Sequence, residues 1–321
     1  MKLIRFLLLM AAYITTLPVA LATELKLGHV TPPSHIWHKV AQRFDNNLRT
    51  ASEHAFSIQI YPLSKLGGDD QMVDLLQSGA IQLGVITAGS LSNRSPSMNA
   101  WFLPYLFDNI EQAAAMSRTQ EAKHILDELE KHKLIGLGYT FAGMRHLITT
   151  APVNDITHLK DQKIRSFPNP LFNLWWRALK AAPTALSVSD VMPALTTNLL
   201  NGVDADLDIV VGLKMYQQAP YLTLTNHMTF PGVVVASQVW WESLSLSQQN
   251  MIRAAYDEAE AWGANHQAQQ EKENVEKLKA AGITISQLNH QELQKTAQPI
   301  AKEFDERHPL MLAFYQRVTK P

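Results

Sequence analysis

From Ser245 to Ala281 the chain carries one long stretch of helical periodicity. Ser245 and Gln248 match a capping box, in which the hydroxyl accepts the third backbone N–H and the amide reaches back to the first. Ile252, Tyr256, Ala259 and Trp262 then fall on one face, and Gly282 stops the run. Such a helix would extend about 54 Å. That is more than an ordinary domain needs and suits a brace across two. Gly263 is the point at which it would break. The length of 321 residues agrees with two domains, because single cores stop growing near about 250–300 residues.

The N-terminus reads as a targeting segment. Lys2 and Arg5 precede the apolar run Phe6–Ala22, and Ala20-Leu21-Ala22 is a small-x-small cleavage pattern. The run contains Thr15, Thr16 and Pro18 and is short for a membrane span, which needs roughly 20 residues. Residues 1–22 are therefore expected to be a cleaved signal peptide, with the mature chain starting at Thr23. No cysteine follows the site, so no lipid can be attached there. An exported, unlipidated, cysteine-free chain is expected in the periplasm of a two-membrane bacterium. The absence of cysteine also excludes thiol nucleophiles, iron–sulfur clusters, cysteine-ligated zinc and disulfides. With 28 Lys plus Arg against 29 Asp plus Glu, no electrostatic footprint for nucleic acid is present.

The mature chain opens β-α-β-α-β. Glu24–Val30 and Phe56–Tyr61 alternate as strands, His35 to about Thr50 and Gln71–Ser78 are helical, and Ile81–Thr87 is a third strand. That order predicts a largely parallel sheet covered by helices. Glu111–Lys131, Pro170–Ala181 and Val188–Asn198 read as helices. Leu134–Tyr139, Met144–Thr149, Lys163–Ser166, Gly202–Asp206 and Gly232–Ser237 read as strands. No linker of exposed Pro or Ser separates two halves, so the chain is expected to cross between the domains more than once.

Enzyme signatures are missing. There is no Gly-x-Ser-x-Gly elbow and no phosphate-binding loop. Gly136, Gly138 and Gly143 imitate a dinucleotide fingerprint with the third glycine misplaced. His35 and His38 lie one helical turn apart and, with His29, offer a metal set, but at a helix start they read better as a solvated face. No metal and no cofactor are expected. Trp175-Trp176 and Trp240-Trp241 read as core and interface residues, and Arg177 as solvated.

Taken in order, the segments KLGHVTPPSHIWHKVAQRF, SKLGGDDQMVDLLQSGAIQLGV, FLPYLFDN, GMRHLITTAPVNDITHLKDQKIRSFPN, AAPTALSVSDVMPALTTNLLNGVDADLD and LTNHMTFPGVVVASQVWWESL make a specific pattern. The sequence resembles the DctP family, the solute-binding proteins of tripartite ATP-independent periplasmic (TRAP) transporters, over nearly the whole mature chain. The resemblance implies an α/β, two-domain periplasmic binding protein-like fold with mostly parallel sheets, crossing hinge strands and a long bracing helix. Domain I would comprise 23–142 plus 230–270 and domain II 143–229 plus 271–321, closing on a ligand in the cleft between them. It implies binding of a small organic acid, with hydroxyacids and sugar acids among the candidates, without chemistry, and delivery to the small and large membrane subunits of a TRAP permease. A monomer is expected. The alternatives are a binding protein serving a signalling receptor, or an exported hydrolase using Asp204 and Asp206.

The family's carboxylate-gripping arginine falls on Arg165 in the run KIRS. A planar guanidinium can hold a carboxylate through two parallel charge-assisted hydrogen bonds. Arg145 matches a second arginine that many members direct into the cleft. Where many members carry a Glu and an amide on the facing strand, this chain has Asp204, Ala205 and Asp206. The two acids alternate onto one strand face, and either accept ligand hydroxyls or pair with Arg145. Pro168 replaces an asparagine of some members, with Asn169 adjacent. His29, Trp37 and Thr87, at strand or helix ends of the first domain, complete the expected ligand set.

Overall fold

A computed structural model describes residues 23–305 and 308–320. The expected signal peptide, 1–22, lies outside the described residues. The strands are β1 (Thr23–Gly28), β2 (Phe56–Tyr61), β3 (Leu83–Thr87), β4 (Leu134–Met144), β5 (His146–Thr149), β6 (Lys163–Ser166), β7 (Ala182–Ala185), β8 (Gly202–Ala205), β9 (Tyr221–Leu224), β10 (Thr229–Ser237) and β11 (Thr284–Gln287). They form two sheets, ordered β2-β1-β3-β10-β4 and β11-β9-β5-β8-β6-β7. In the first sheet β1 runs parallel to β2 and β3, while β10 is antiparallel to β3 and β4. In the second, β6 is parallel to β7 and β8 and β9 to β11, while β5 is antiparallel to β8 and β9. Both sheets are thus parallel except where β5 and β10 enter them.

Those two exceptions are the crossings. The chain leaves the first sheet at Met144, passes through Arg145 and joins the second at His146. It returns through residues 225–228 between β9 and β10. The two passages lie side by side, Arg145 N donating to Met228 O at 2.7 Å and His227 N to Arg145 O at 3.4 Å. β10 is buried along its whole length, which is why TFPGVVVAS reads as a continuous apolar run rather than an alternating one.

The long helix runs unbroken from Leu246 to Ala280, 35 residues or about 52 Å. Its capping box is formed: Gln248 N donates to Ser245 Oγ at 3.3 Å and Ser245 N to Gln248 Oε1 at 2.9 Å. Gly263 does not break it. A Cβ there would lie 2.5 Å from Val40 Cγ2, so the glycine permits close approach of the helix Ile36–Ala51. Gly138 does the same on β4, where a Cβ would meet Tyr256 Cε1 at 2.7 Å. The glycines that imitate a nucleotide fingerprint therefore include one used for packing. Over the first sheet the helix buries Ile252, Ala255, Tyr256 and Ala259. Farther along, the buried residues are Gln267, Gln270 and Asn274, and then Leu278 in the core of the second sheet. Gln267 Nε2 donates to Ala142 O at 2.8 Å, Lys39 Nζ to Gln270 Oε1 at 2.7 Å, and Asn274 Nδ2 to Asp208 Oδ1. The helix then feeds β11 in the second sheet. The C-terminal helix Pro309–Thr319, expected with domain II, packs on first-sheet elements, with Phe314 edge-on to Trp101 at 4.6 Å. Its apolar face matches the aromatic cluster there.

Candidate functional site

The carboxyl ends of parallel strands from both sheets face one another. Val30 and Thr31 follow β1, Thr87 ends β3, Phe167 follows β6, Asp204 and Ala205 end β8, and Asp206 follows it. All of them line one enclosed cavity, together with His35, Trp37, Arg145, Arg165 and Phe230. Strand carboxyl ends are where parallel α/β sheets hold ligands. The space between them is about 20 Å³, little more than one water molecule. It opens into an outer cleft of about 550 Å³ that shares Thr87, Arg165 and Phe167 and adds Asp69, Asp70 and Pro168.

Arg145 sits on the crossing, 2% exposed, and the protein satisfies it. Its Nε donates to Asp204 Oδ1 at 2.6 Å, Nη1 to Asp206 Oδ2 at 3.4 Å, and Nη2 to the Asp204 carbonyl. Its Cζ lies 4.4 Å from the Phe230 ring centroid. Asp204 is also held on its other oxygen, by Trp176 Nε1 at 2.9 Å and by His227 Nε2 at 3.3 Å. Burial alone would raise the Asp204 carboxyl; the Arg145 guanidinium and His227 outweigh it and hold it well below the usual range. Asp206 is not a strand residue. It caps the helix Leu207–Gly212, its Oδ1 accepting Ile209 N at 2.9 Å. Between the two open alternatives for the acids, the structure has both paired with Arg145.

Arg165 presents the opposite case. It is 4% exposed, and among the described residues no carboxylate forms an ion pair with it. β6 places it opposite Val203 of β8 and Thr184 of β7. Its Nε donates to Leu186 O at 3.0 Å, and its Cζ lies 4.1 Å from the Phe167 ring centroid. These two contacts fix the guanidinium plane and leave both terminal nitrogens free to take two oxygens. Burial and the neighbouring Arg145 push its pKa down to about 9, so it stays charged near neutrality.

The remaining expected residues divide. Trp37 and Thr87 line the cavity. Thr87 Oγ1 donates to Asp69 Oδ2 at 2.5 Å and accepts Ser90 N at 3.1 Å, while Trp37 Nε1 is buried without a partner. Asn169 and His29 do not line it. Asn169 is consumed by structure: its Oδ1 caps the helix Pro170–Ala178 through Leu171 N and Phe172 N, and its Nδ2 donates to Ser92 Oγ and Asn99 Oδ1, both at 2.7 Å. His29 is tied between His38 Nδ1 at 3.0 Å and Thr31 Oγ1 at 2.9 Å, and burial lowers its pKa to about 3. His35, expected on a solvated face, is instead fully buried and lines the cavity. Its Nδ1 caps the helix by accepting Trp37 N at 3.1 Å, which puts the ring proton on Nε2. Sequence reasoning also missed Phe167, Phe230 and His227. Among the described residues no group of three or more His, Cys, Asp or Glu could hold a metal ion, and no helix is long and apolar enough to cross a membrane. Arg177 is exposed, and Trp175 and Trp176 are core residues.

Comparison with known proteins gives the same picture. The sialic acid-binding periplasmic protein SiaP of Vibrio cholerae is 27% identical over 88% of this chain and 89% of its own length. The ectoine-binding periplasmic protein TeaA of Halomonas elongata is 27% identical over 79% and 75%. Among solved structures, the sugar acid binding protein DctPAm of Advenella mimigardefordensis in complex with galactonate superposes with a TM-score of 0.89 at 22% identity, covering 93% of this chain and 98% of that one. A TRAP periplasmic solute binding protein from Shewanella oneidensis with bound succinate gives 0.87 at 20% identity, covering 93% and 100%. Residues 27–307 match the family model DctP, described as bacterial extracellular solute-binding protein, family 7, and with two crossing-linked sheets, a bracing helix and an arginine-lined cavity between strand ends, this chain belongs to that family.

Proposed function

We propose that this chain captures a small organic acid in the periplasm, with Arg165 holding its carboxylate, and passes it unchanged to the membrane subunits of a TRAP permease. The observation that carries the reading is the state of Arg165: a buried, oriented guanidinium whose terminal nitrogens have no protein partner. Buried donors left unpaired are costly, and a ligand carboxylate is the group that satisfies them with two parallel bonds. Arg145 supports the site differently, by fixing the crossing and the β8 end beside it. The two sheet-bearing units would close about the paired crossings at Arg145 and 225–228, excluding water and so strengthening the contact. The protein would act as a monomer after loss of residues 1–22.

Calorimetry of the mature chain against a panel of organic acids tests this. At least one carboxylate is expected to bind and to be recovered chemically unaltered. In Arg165→Ala its affinity should fall by about 2–5 kcal/mol, on the order of 30-fold to several thousand-fold. A folded Arg165→Ala protein that keeps wild-type affinity would remove the reading.

A further inference from the structure

The inner cavity holds more information about the ligand than its carboxylate. Two further donors, on residues that line the cavity, make no hydrogen bond within the protein. His35 carries its proton on Nε2, which lies 3.4 Å from Asp206 Oδ1 without hydrogen-bond geometry. Trp37 Nε1 has no acceptor. Both side chains are at most 1% exposed. Buried donors left unpaired are exceptions in folded proteins and call for an explanation. The acceptors of the same wall are in the reverse condition. Both oxygens of Asp204 and both of Asp206 already hold protein donors, and the hydroxyls of Thr31 and Thr87 are engaged with His29 and Asp69. Asp69 has a free Oδ1, but it belongs to the outer cleft. What remains is apolar, from Val30, Val188, Val191, Val203, Ile209 and Met215.

Charge narrows the choice again. Arg145 with Asp204 and Asp206 sums to one negative charge, and Arg165 restores neutrality. One ligand carboxylate paired with Arg165 brings the pocket to one net negative charge. A second would bring it to two, beside Asp206 with no cation left for it, and like charges in a low dielectric repel strongly.

We infer that the solute is an aliphatic oxo acid: a monocarboxylate whose charged end meets Arg165 and whose carbonyl oxygen accepts from His35 and Trp37, with a hydrocarbon body against the valine-rich wall. This rests on the carboxylate reading above and deepens it. A carbonyl accepts without donating, so it satisfies the orphaned N–H groups and asks for no acceptor. Each hydroxyl of a sugar acid brings a donor for which this wall offers only carboxylate oxygens that already hold protein donors.

Calorimetry on the mature wild-type protein with 4-methyl-2-oxopentanoate, 4-oxopentanoate, pentanoate, succinate and D-galacturonate decides it. At least one of the two oxo acids should bind 10-fold or more tightly than pentanoate, succinate and D-galacturonate. Trp37→Phe, which deletes the N–H and keeps an aromatic ring, should reduce affinity for that oxo acid several-fold more than it reduces affinity for pentanoate. If the substitution unfolds the chain, the comparison of the oxo acids with pentanoate on wild type still stands as the test. Succinate or D-galacturonate binding as tightly as the oxo acids, or pentanoate doing so, would overturn the inference. If that binding is lost in Arg165→Ala, the carboxylate reading survives its failure. If no carboxylate binds, or binding ignores Arg165, both fall.

Discussion

Arg145 and Arg165 line the same cavity at 2% and 4% exposure, yet their surroundings are opposites. Arg145 has two carboxylates and a carbonyl for its three nitrogens. Arg165 has one carbonyl and an aromatic face. The first arrangement is complete without a ligand and belongs to the fold. The second is incomplete and costs the unliganded protein stability, which is the condition of a group kept for binding. Burial and residue type are the same in both, so only the partner inventory separates architecture from recognition.

The contrast breaks most visibly through Arg145. Arg145→Ala strands Asp204 and Asp206 in the interior, and a loss of about 3–5 kcal/mol is expected in urea unfolding. Arg165→Ala should cost much less stability while abolishing most affinity, because it breaks no ion pair and only one hydrogen bond, to Leu186 O. Equal destabilisation by both variants would erase the distinction. The acid limb of the unfolding curve sharpens it. Asp204 has a depressed pKa in the folded state, so its stabilisation is present above the ordinary carboxylate value near about 4 and is lost as pH falls toward the folded value. Asp204→Asn should flatten that limb. Arg165→Lys should fall between Ala and wild type in affinity, since an ammonium keeps the charge without the planar fork.

The smallest effect concerns a carboxylate in the same region that no guanidinium neutralises. Glu271 accepts Met144 N beside the crossing, and burial pushes it up to about 7. Its charged form is disfavoured in the folded state, so stability should decline as pH rises from the ordinary glutamate range through about 7. Glu271→Gln should match wild type at pH 5 and exceed it at pH 8 by on the order of 1 kcal/mol. An unchanged pH slope in that variant would show that Glu271 is not the group responsible.

Much of this architecture was legible in the sequence. β2 and β6 match their expected bounds, and the long helix ends one residue short of its expected stop, because strand alternation and the Ser245 cap are local signals. β7 and β11 were not readable. Each is a four-residue edge strand, APTA or TISQ, with half-exposed residues and no apolar face to alternate. Arg165 was legible through its motif. The state of Arg145 was open because Asp204 and Asp206 could serve it or a ligand, and only their convergence decides. Asn169 and Pro170 open a helix, an N-cap signal that competed with the ligand assignment. His35 was hidden because Asp208, which accepts Ile36 N at 2.9 Å, is 172 positions away, and nothing local announces a histidine cap buried by the opposite sheet.

The polar second half of the long helix bears on timing. An apolar seam parts reluctantly, because every square ångström exposed to water is penalised. Gln267, Gln270 and Asn274 meet their neighbours through hydrogen bonds, and water can replace those at small net cost. A molecule that closed about the adjacent crossings would reopen against little resistance from this polar stretch. Under the proposed reading the residence time of the solute would be governed by the bond to Arg165, and a partner that weakens that one contact would unload the carrier quickly without prying the two sheets apart.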